Sequence, residues 1–557
     1  MNLTMKRTRR GGEVLPEQLP EVLSAAPRVR RIIRHLAGYA PAGADAGLAE
    51  MKNLSPRKAP ALAVRRPREV CIEAVGEGKP HGMTMMNGQI YFVRGTTLYG
   101  PGSDGQPVAI GTVSDTDKVM IAFGGELLIF PDKVYLDRDT GTLKPMEIQT
   151  ASCSGCQFAK NTIVLSTSYT WEGLGFRAGD CVSCYNANGS DDTPAGHYRL
   201  ISISGRTATI NASFDVNMSR TMLFARHIPD FSDLCVSGER LYGTVGGEVY
   251  VSAVGSAFDW LSPDTDDKGP CHLIAAGEGD FTACLPWQGY VIFFKKDGIC
   301  KLVGNRSKNY VLTEIPAPGI PEGMNKTLCE VGGALYYYGT AGVYRYTGGY
   351  PETIGRPWGG ANLFGVPEAR YVSGVGGTDG MAYYVSLKTA EGTGRLFLYD
   401  PAAARFYAED NLCPVATLTT PGFLIMQTSD GRILLTASDG RRAGMAAAES
   451  ELVGASAQLI AMRPDDGGYW RPLAVTIRAT APEKATLTLK AAFSDGSIGL
   501  DATPDRAVTL GQVSGAMVDR RLVFPMVAAP CDGVALFLEM SGEWEIGEIS
   551  LACEMCR

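Results

Sequence analysis

Histidine and long apolar runs are both scarce in this sequence. The chain of 557 residues has five histidines, and no apolar run reaches the ~20 residues that a membrane-spanning helix needs. The start, MNLTMKRTRRGG, is basic, but no apolar stretch follows it as it would in a secretory signal. We therefore expect neither a secretory signal nor a membrane-spanning segment.

Several catalytic motifs are absent as well. The sequence contains no G-x-x-x-x-G-K-[ST] phosphate loop, no G-x-S-x-G nucleophile turn and no H-E-x-x-H zinc helix. The histidines stand far apart, without the spacing of a metal site or a catalytic triad: His35, His81, His197, His227 and His272. We therefore predict that the chain is not an enzyme and assign no catalytic residue.

Glycine is abundant, with 67 residues, and 32 prolines accompany it. This composition is typical of many short strands joined by tight turns. From residue 82 onwards, seven segments share one pattern: a strand, a glycine turn, an apolar strand, another turn and a third strand. They return about every 40–50 residues, as propeller blades do. The segments are 82–100, 118–141, 233–254, 281–304, 327–348, 381–410 and 416–438.

The sequence thus predicts an all-β chain built on a β-propeller of about seven blades, with two stacked sandwiches as the alternative. Residues 146–230 interrupt the series with strands of their own, so we expect a small β-barrel inserted between blades. Residues 446–557 alternate cleanly and predict a C-terminal β-sandwich. The expected units are 1–68 (N-terminal arm), 69–145 and 231–445 (propeller), 146–230 (barrel) and 446–557 (sandwich).

The first 68 residues carry 14 Lys and Arg but only 5 Asp and Glu, whereas the whole chain has a net charge of −7. A helical or extended arm with a short helix within 13–37 is expected, because the apolar residues of VRRIIRHLAGY recur at helical spacing. A basic arm on an acidic body suits an acidic partner, another subunit or nucleic acid; the alternative is a solvated terminus. The candidate interaction residues are Arg28, Arg30, Arg31, Arg34, Lys52, Arg57, Lys58, Arg65, Arg66 and Arg68.

Two C-x-x-C pairs suggest a structural zinc site, formed by Cys153, Cys156, Cys181 and Cys184. Zinc would need each pair on a tight turn. The first pair can turn at Gly155, but CVSC is typical of a strand, in which residues three apart point to opposite faces. Buried free thiols are the alternative that we favour, and a disulfide formed after release from a cell is the third. The pair CEMC at 553–556 raises the same question. We expect no cofactor other than this zinc.

Two further patterns raise the question of a calcium site or of glycosidase activity. Asp264, Asp266 and Asp267 form a calcium-like cluster without the closing glutamate of an EF-hand, so a turn-forming loop is the preferred interpretation. Ser-Asp-Gly occurs in four places, among them 103–105, 429–431 and 438–440, without the tryptophan of sialidase repeats, and such turns suit hairpins in any β-protein. A polysaccharide or sialoside hydrolase is therefore the least favoured function.

Several segments resemble a family of tailed-phage and prophage structural proteins. In that family a DMKNL…YP-L-PR-PR segment precedes the first blade. The matching positions here are Met51, Lys52, Asn53, Leu54, Pro60, Leu62, Arg65, Arg66, Pro67 and Arg68, with Ala59 departing where the family favours an aromatic residue. The block at 226–260, with Arg240-Leu241-Tyr242-Gly243, Gly255, Phe258 and Trp260, is similar to the family's central segment. The insert resembles the family's inserted barrel, and the likeness covers most of 47–440.

The resemblance implies a virion component of the tail or the head–tail connector, assembled in the host bacterial cytoplasm. It implies a nozzle or hub subunit arranged as a homo-oligomeric ring. Its partners would be further copies of itself, other tail or connector proteins, and DNA passing through during ejection or the host surface. A receptor- or glycan-binding tail protein is the alternative function.

Overall fold

The computed structural model describes residues 26–40, 44, 47–355, 371–465, 467–494 and 506–556. These residues form an all-β fold, whose one helical element in the described part is a 3₁₀ turn at Asn325–Thr327. Their 44 strands are arranged in ten antiparallel sheets. Seven of the ten have four strands in a simple up-and-down order, so the fold is propeller-like.

The N-terminal segment is extended, and the helix predicted within 13–37 is wrong over its described part. Residues 28–33 form a strand that pairs with 549–554, because hydrogen bonds to a sheet edge outweigh a short apolar stripe at helical spacing. Residues 13–25 lie outside the described residues. The strands are β1 (Arg28–Ile33), β2 (Leu48–Lys52), β3 (Leu54–Ser55), β4 (Leu62–Val64) and β5 (Glu69–Ile72).

The first two four-stranded sheets follow directly. In the first sheet, Asn87 and Gly88 form the turn between the first two strands, and their φ angles of 53° and 75° suit a tight hairpin. The first sheet is β6 (Pro80–Met86), β7 (Gln89–Arg94), β8 (Thr97–Pro101) and β9 (Pro107–Thr112). The second is β10 (Val119–Phe123), β11 (Glu126–Phe130), β12 (Val134–Leu136) and β13 (Leu143–Pro145).

The insert, which begins after the second sheet, is a strongly curled sheet. Its long strand pairs along one edge first with β17 and then with β16, while β16 and β17 pair with each other. Register shifts where β15 pairs with the long strand allow the bend. The strands are β14 (Ile148–Gln149), β15 (Cys153–Val164), β16 (Cys181–Asn186), β17 (Gly196–Ser204) and β18 (Thr207–Arg226).

Five more four-stranded sheets follow the insert. The third has β19 (Asp233–Ser237), β20 (Arg240–Val245), β21 (Glu248–Val251) and β22 (Cys271–Ile274), and the fourth β23 (Ala283–Trp287), β24 (Tyr290–Phe294), β25 (Gly298–Val303) and β26 (Val311–Pro316). The fifth has β27 (Cys329–Val331), β28 (Ala334–Gly339), β29 (Gly342–Tyr346) and β30 (Glu352–Thr353). The sixth has β31 (Tyr371–Thr378), β32 (Tyr383–Thr389), β33 (Gly394–Asp400) and β34 (Arg405–Ala408).

The seventh sheet takes its outer strand from the other end of the chain. It consists of β35 (Ala416–Thr420), β36 (Phe423–Gln427) and β37 (Ile433–Thr436), and β5 pairs with β37 as the fourth strand. Residues 69–72 therefore complete a sheet whose other strands lie more than 340 residues later. This pairing joins the beginning and the end of the repeated region.

The sheets stack face to face. Second strands such as β11 (ELLIF) and β28 (ALYYYG) are buried along their whole length, since neighbouring sheets cover both of their faces. Apolar clusters join the first sheet to the second, the second to the third and the third to the fourth. A large cluster runs through the fourth to seventh sheets, and another joins the seventh to the first.

The C-terminal strands form one six-stranded and one five-stranded sheet, and β1 to β4 belong to these two sheets. One sheet has the order β3-β4-β44-β39-β42, with β1 also paired to β44, and the other has the order β2-β38-β43-β40-β41. The strands are β38 (Gly454–Leu459), β39 (Tyr469–Ala481), β40 (Thr486–Ser494), β41 (Val508–Ser514), β42 (Met517–Pro525), β43 (Gly533–Ser541) and β44 (Glu545–Cys556). We refer to these two sheets as the sandwich.

The sandwich and the fourth to seventh sheets share one continuous apolar core. The residues that connect them come from the N-terminal segment, in particular Leu36, Tyr39 and Leu54, each of which is almost fully buried. The segment expected to be a separate arm is thus a structural part of the sandwich. The reason is its apolar content, which a solvated arm would leave in water.

Candidate functional site

A buried ion-pair network lies where the N-terminal segment meets the end of the sixth sheet. Arg68 donates from Nη2 to Glu409 and from Nη1 to Asp410, each at 2.7 Å. Arg65 donates from Nη1 and Nη2 to the two carboxylate oxygens of Glu449, at 2.5 and 2.9 Å. Its Nε donates to the side chain of Asn53 at 2.9 Å. Both arginine side chains are 4% exposed, so the two cations of the network are buried.

The electrostatics of the network favour its charged form at two of the three carboxyl groups. Burial raises the pKa of Asp410 and of Glu449, but the neighbouring arginines outweigh burial and hold both pKa values below their usual range. At Glu409 burial prevails over Arg68 and Arg65, and the pKa is raised. The carboxylates in turn raise the pKa of Arg68. Two permanent cations therefore hold three acids from different parts of the chain.

Seven of the eight other basic residues expected to bind an external partner form ion pairs within the chain. Sandwich acids accept most of them, and the pairs are Arg28–Glu554, Arg30–Glu548, Arg31–Asp465, Arg34–Glu548, Arg57–Glu545, Lys58–Glu545 and Arg66–Glu543. Lys52 is exposed and has no ion pair within the described part of the chain. The expectation of a free basic arm is therefore corrected for nine of the ten residues, because the acidic partner lies in the same polypeptide.

A cleft of about 690 Å³ opens beside this network. One wall is the free edge of β2, with Glu50, Met51 and Lys52, and the opposite wall is the turn at 389–395 of the sixth sheet. Arg395 crosses it and donates to Glu50 at 3.1 Å and to the Tyr39 hydroxyl at 2.8 Å. The lining contains both acidic and basic side chains, so the cleft offers hydrogen bonds but no strong electrostatic potential of one sign.

A second cavity, of about 500 Å³, is lined by residues of the first strand of all seven four-stranded sheets, and we call it the central cavity. Its wall includes Asp233, whose Oδ2 accepts the backbone N–H of Cys284 at 2.8 Å. Burial raises the pKa of Asp233 to about 6. No cation of the described residues forms an ion pair with this carboxyl, which is held by backbone hydrogen bonds instead.

One end of this central cavity carries a histidine between two carboxylates. His81 places Nε2 at 2.7 Å from Asp115 and Nδ1 at 3.2 Å from Asp117. Burial tends to raise the pKa of Asp117, but Lys326 and His81 outweigh it and lower the pKa. With both ring nitrogens engaged by acids, the histidine is held in place and offers no nitrogen to a nucleophile. The other described histidine contacts are His272–Glu248, Ser183–His197 and Tyr185–His227.

The four cysteines of the zinc hypothesis are buried in and beside the insert, and the structure does not assemble them. Cys153, Cys156 and Cys184 belong to the apolar core of the insert. Cys181, three residues along β16, faces away from that core towards Asp259, as alternation in a strand predicts. Burial raises the pKa of all four thiols, that of Cys156 to about 11. Among the described residues, which include these four, no three His, Cys, Asp or Glu side chains could hold one metal ion.

The aspartate cluster at 264–267 is engaged in its own loop. Asp264 accepts the backbone N–H of Gly269 at 3.0 Å and the hydroxyl of Ser307 at 2.7 Å. Lys308 lies 3.2 Å from Asp267. These contacts use the carboxylate oxygens that a cation would need, in keeping with a turn-forming loop. The acids that pair with Arg65 and Arg68 (Glu409, Asp410 and Glu449) carry no recognisable pattern in the sequence.

Comparisons with known proteins return weak likenesses only. No protein family model and no curated protein matches the chain. A catalytically inactive variant of virginiamycin B lyase from Staphylococcus aureus with quinupristin is similar, with a TM-score of 0.34 and 10% identity, over 66% of this chain and 99% of that one. Kluyveromyces lactis Hsv2 is similar with a TM-score of 0.26 and 8% identity, over 60% of this chain and 97% of that one. Dihydro-heme d1 dehydrogenase NirN is similar with a TM-score of 0.27 and 12% identity, over 75% of this chain and 74% of that one.

These TM-scores are low, and the similarities carry no argument about what this chain does. A separate observation concerns membranes. No helix in the part of the chain that the structure describes has the length and apolar character to cross a bilayer.

Proposed function

We propose that this chain is a non-enzymatic structural protein of a tailed-phage virion, a ring-forming subunit of the tail nozzle, tail hub or head–tail connector. The resemblance of residues 47–440 to that family supports the proposal. In this role the chain is assembled in the host bacterial cytoplasm and becomes part of the tail. Its partners are further copies of itself and neighbouring tail or connector proteins.

The observation that carries the proposal is the way the N-terminal segment ties the modules together. Residues 28–72 supply strands to both sheets of the sandwich and the outer strand of the seventh sheet. Arg65 and Arg68 then lock this segment to acids of the sixth sheet and of the stretch before the sandwich. A subunit in the wall of a tail must transmit force between its neighbours, and a body without a hinge between its modules suits that task.

The finer architecture belongs to the same proposal. We interpret the seven four-stranded sheets as the blades of a seven-bladed β-propeller, which β5 closes by completing the last blade. The central cavity, lined by residues at the inner edge of all seven sheets, supports a ring of blades around one axis. The mutual pairing of β16, β17 and β18 supports a small barrel in the insert.

Imaging of the purified full-length protein tests the proposal. Negative-stain micrographs with mass measurement are expected to show closed rings of about six or twelve copies, as cyclic assemblies of one subunit type. Mass spectrometry of purified phage particles is expected to find the chain in the virion. A monomer or trimer that binds glycans on an array would contradict the proposal and favour a receptor-binding tail protein.

A further inference from the structure

The outward face of one sandwich sheet is unusually rich in arginine. The strand pairings place side chains on this face in rows across β1, β44, β39 and β42. One outer row is Arg28–Glu554–Arg471, and the opposite one is Glu548–Arg478–Arg521. Arg30 and Arg34 reach Glu548 from the β1 side. We call this surface the arginine face, and its cations are Arg28, Arg30, Arg34, Arg471, Arg478 and Arg521.

The carboxylates on the arginine face do not balance its cations. Glu554 is shared by Arg28 and Arg471 at 3.7 and 3.9 Å, and Glu548 by Arg30 and Arg34. Asp519 pairs with Arg478. Arg521 stands opposite Arg478 and forms no ion pair within the described part of the chain. Six arginines against three acids leave an excess of three positive charges, and the side chains of Arg28 and Arg471 are 78% and 54% exposed.

A strip of small and apolar side chains runs between the two charged rows. Ile32 and Val523, at the two ends of one row, are 42% and 59% exposed. Between them lie Ser550 and Thr476, and the next row brings Ala552, Ala474 and Pro525 together. Arg30 stands at the β1 end of the second row and donates to Ser550. A centre of small and apolar side chains bordered by arginines has the composition of protein–protein interfaces, where arginine is enriched and lysine is depleted.

A surface of the opposite charge lies at one end of the stacked sheets. In a four-stranded up-and-down sheet, the connection to the next sheet and the turn between the second and third strands share one end. In the loops at this end, six exposed carboxylates form no ion pair within the described part of the chain: Glu73, Glu77, Glu278, Asp280, Asp297 and Glu322. Lys79 and Lys296 are the exposed lysines in the same loops. We call this surface the acidic end.

We propose that the arginine face binds the acidic end of a second copy of this chain. The inference rests on the proposed ring function and names its interface. A ring of identical subunits needs a heterologous contact, made by two different surfaces that complement each other. The arginine face, with its excess of three positive charges, and the acidic end, whose six unpaired acids outnumber its two exposed lysines among the described residues, meet that requirement on one polypeptide. Arginines pair well with carboxylates across interfaces, because the guanidinium group can donate two parallel hydrogen bonds.

Charge reversal of the full-length protein tests the interface. The variant Arg28→Glu/Arg521→Glu is expected to assemble at least about tenfold more weakly than the natural chain in mass photometry, at equal thermal stability. The variant Glu278→Lys/Asp280→Lys is expected to show the same loss. An equimolar mixture of the two variants is expected to recover assembly, since the reversed surfaces attract each other again. The matched control Arg138→Glu/Arg306→Glu reverses two arginines that are 65% exposed and is expected to assemble normally.

A second variant guards against unfolding as an explanation. Val523→Glu changes an exposed side chain of the apolar strip and is expected to weaken assembly without lowering the melting temperature. Rings formed equally well by Arg28→Glu/Arg521→Glu and Val523→Glu would overturn the inference and leave the proposed function standing. A natural chain that stays monomeric at high concentration would overturn both. Failure of the mixture to assemble would show that the acidic end is not the partner surface.

The same variants separate a protein partner from nucleic acid. Fluorescence anisotropy with a labelled DNA duplex at physiological salt is expected to show weak binding that Arg28→Glu/Arg521→Glu does not change. Tight DNA binding that this variant abolishes, with assembly unaffected, would overturn the proposal in favour of a nucleic-acid surface.

Discussion

Arg226 and Asp180 form a fully buried ion pair at the base of the insert, with Nη1 of the arginine 2.5 Å from Oδ2 of the aspartate. Arg226 is the last residue of β18, and its Nε donates to the carbonyl oxygen of Met146, where the insert begins. The guanidinium carbon lies 4.5 Å above the ring of Phe258, in the loop between β21 and β22 of the third sheet. One side chain thus fixes both ends of the insert to the stacked sheets.

Replacing Arg226 by methionine is expected to loosen the insert. The substitution leaves Asp180 buried without its closest cation, with only Arg177 remaining at 3.8 Å, and removing one partner of such a pair costs about 3–5 kcal/mol. Hydrogen exchange is expected to increase in β14 to β18 and to stay unchanged in the sandwich. Arg220, an exposed arginine of the same strand, provides the control Arg220→Met, which is expected to leave exchange as it is.

Arg68→Met is expected to destabilise the junction between the sandwich and the sixth sheet. Glu409, which is buried, and Asp410 would lose their closest cation, at a cost of about 3–5 kcal/mol. The midpoint of urea unfolding reports the loss. Lys52→Met, at an exposed lysine without an ion pair, is expected to change stability by less than about 0.5 kcal/mol. Equal midpoints for the two variants would contradict a structural role for the network.

Asp233 is expected to make stability fall with rising pH between about pH 4 and 6. Its pKa in the folded chain is about 6, above its ordinary value of 3.8, because burial disfavours the carboxylate. The stabilising effect of the bound proton is therefore complete below the ordinary pKa and is lost as the pH rises through 6. Asp233→Asn is expected to gain about 1–3 kcal/mol over the natural chain at pH 7.

Melting temperatures recorded from pH 4 to pH 7.5 check this prediction. Asp297→Asn, at an exposed acid, serves as the control and is expected to follow the natural chain at every pH. If Asp233→Asn does the same, the carboxyl is not buried in the folded protein.

The purified protein is expected to contain no stoichiometric zinc, since Cys181 faces away from the other three thiols of the insert. Elemental analysis measures the metal directly, and a chelator is expected to leave the melting temperature unchanged. Cys184→Ala should cost only about 1–2 kcal/mol, the price of a small cavity in an apolar core. Finding about one zinc per chain would refute this view of the cysteines.

Truncations of the N-terminal segment are expected to act in steps. Deletion of residues 1–25 leaves every described strand in place and should preserve the melting temperature. Deletion of residues 1–64 removes β1 to β4 and is expected to expose the sandwich to limited proteolysis, because both of its sheets lose strands. Deletion of residues 1–72 also removes β5 and should open the seventh sheet. Equal protease resistance for all three would contradict the strand pairings.

Much of the fold could be predicted from the sequence because its signals are local. Segments such as 118–141 carry alternating strands and glycine turns within a few residues of one another, and they do form four-stranded sheets. The strand at 28–33 could not be predicted, since its pairing partner lies more than 500 residues away on β44. Its local pattern indicates a helix, and the sheet edge decides against it.

The network at the junction was beyond sequence reasoning for the same reason. Arg65 and Arg68 are recognisable as basic residues, but Arg68 and Asp410 are separated by 342 positions. No local pattern marks Glu409, Asp410 or Glu449 as their partners. The basic residues alone therefore suggest acidic partners on another molecule, whereas the fold supplies these partners within the chain.

The pairing of Arg28 with Glu554 has a consequence for how this protein can be cut and rejoined. Strands from both ends of the chain lie side by side in the sandwich, so the sandwich is the host domain and residues 69–445 are a guest inserted into it. A short linker between residues 26 and 556 should therefore allow new ends to be opened in an exposed turn, such as that at 102–106. Such a circular permutant would keep every described strand pair and would place its new termini between β8 and β9 of the first sheet.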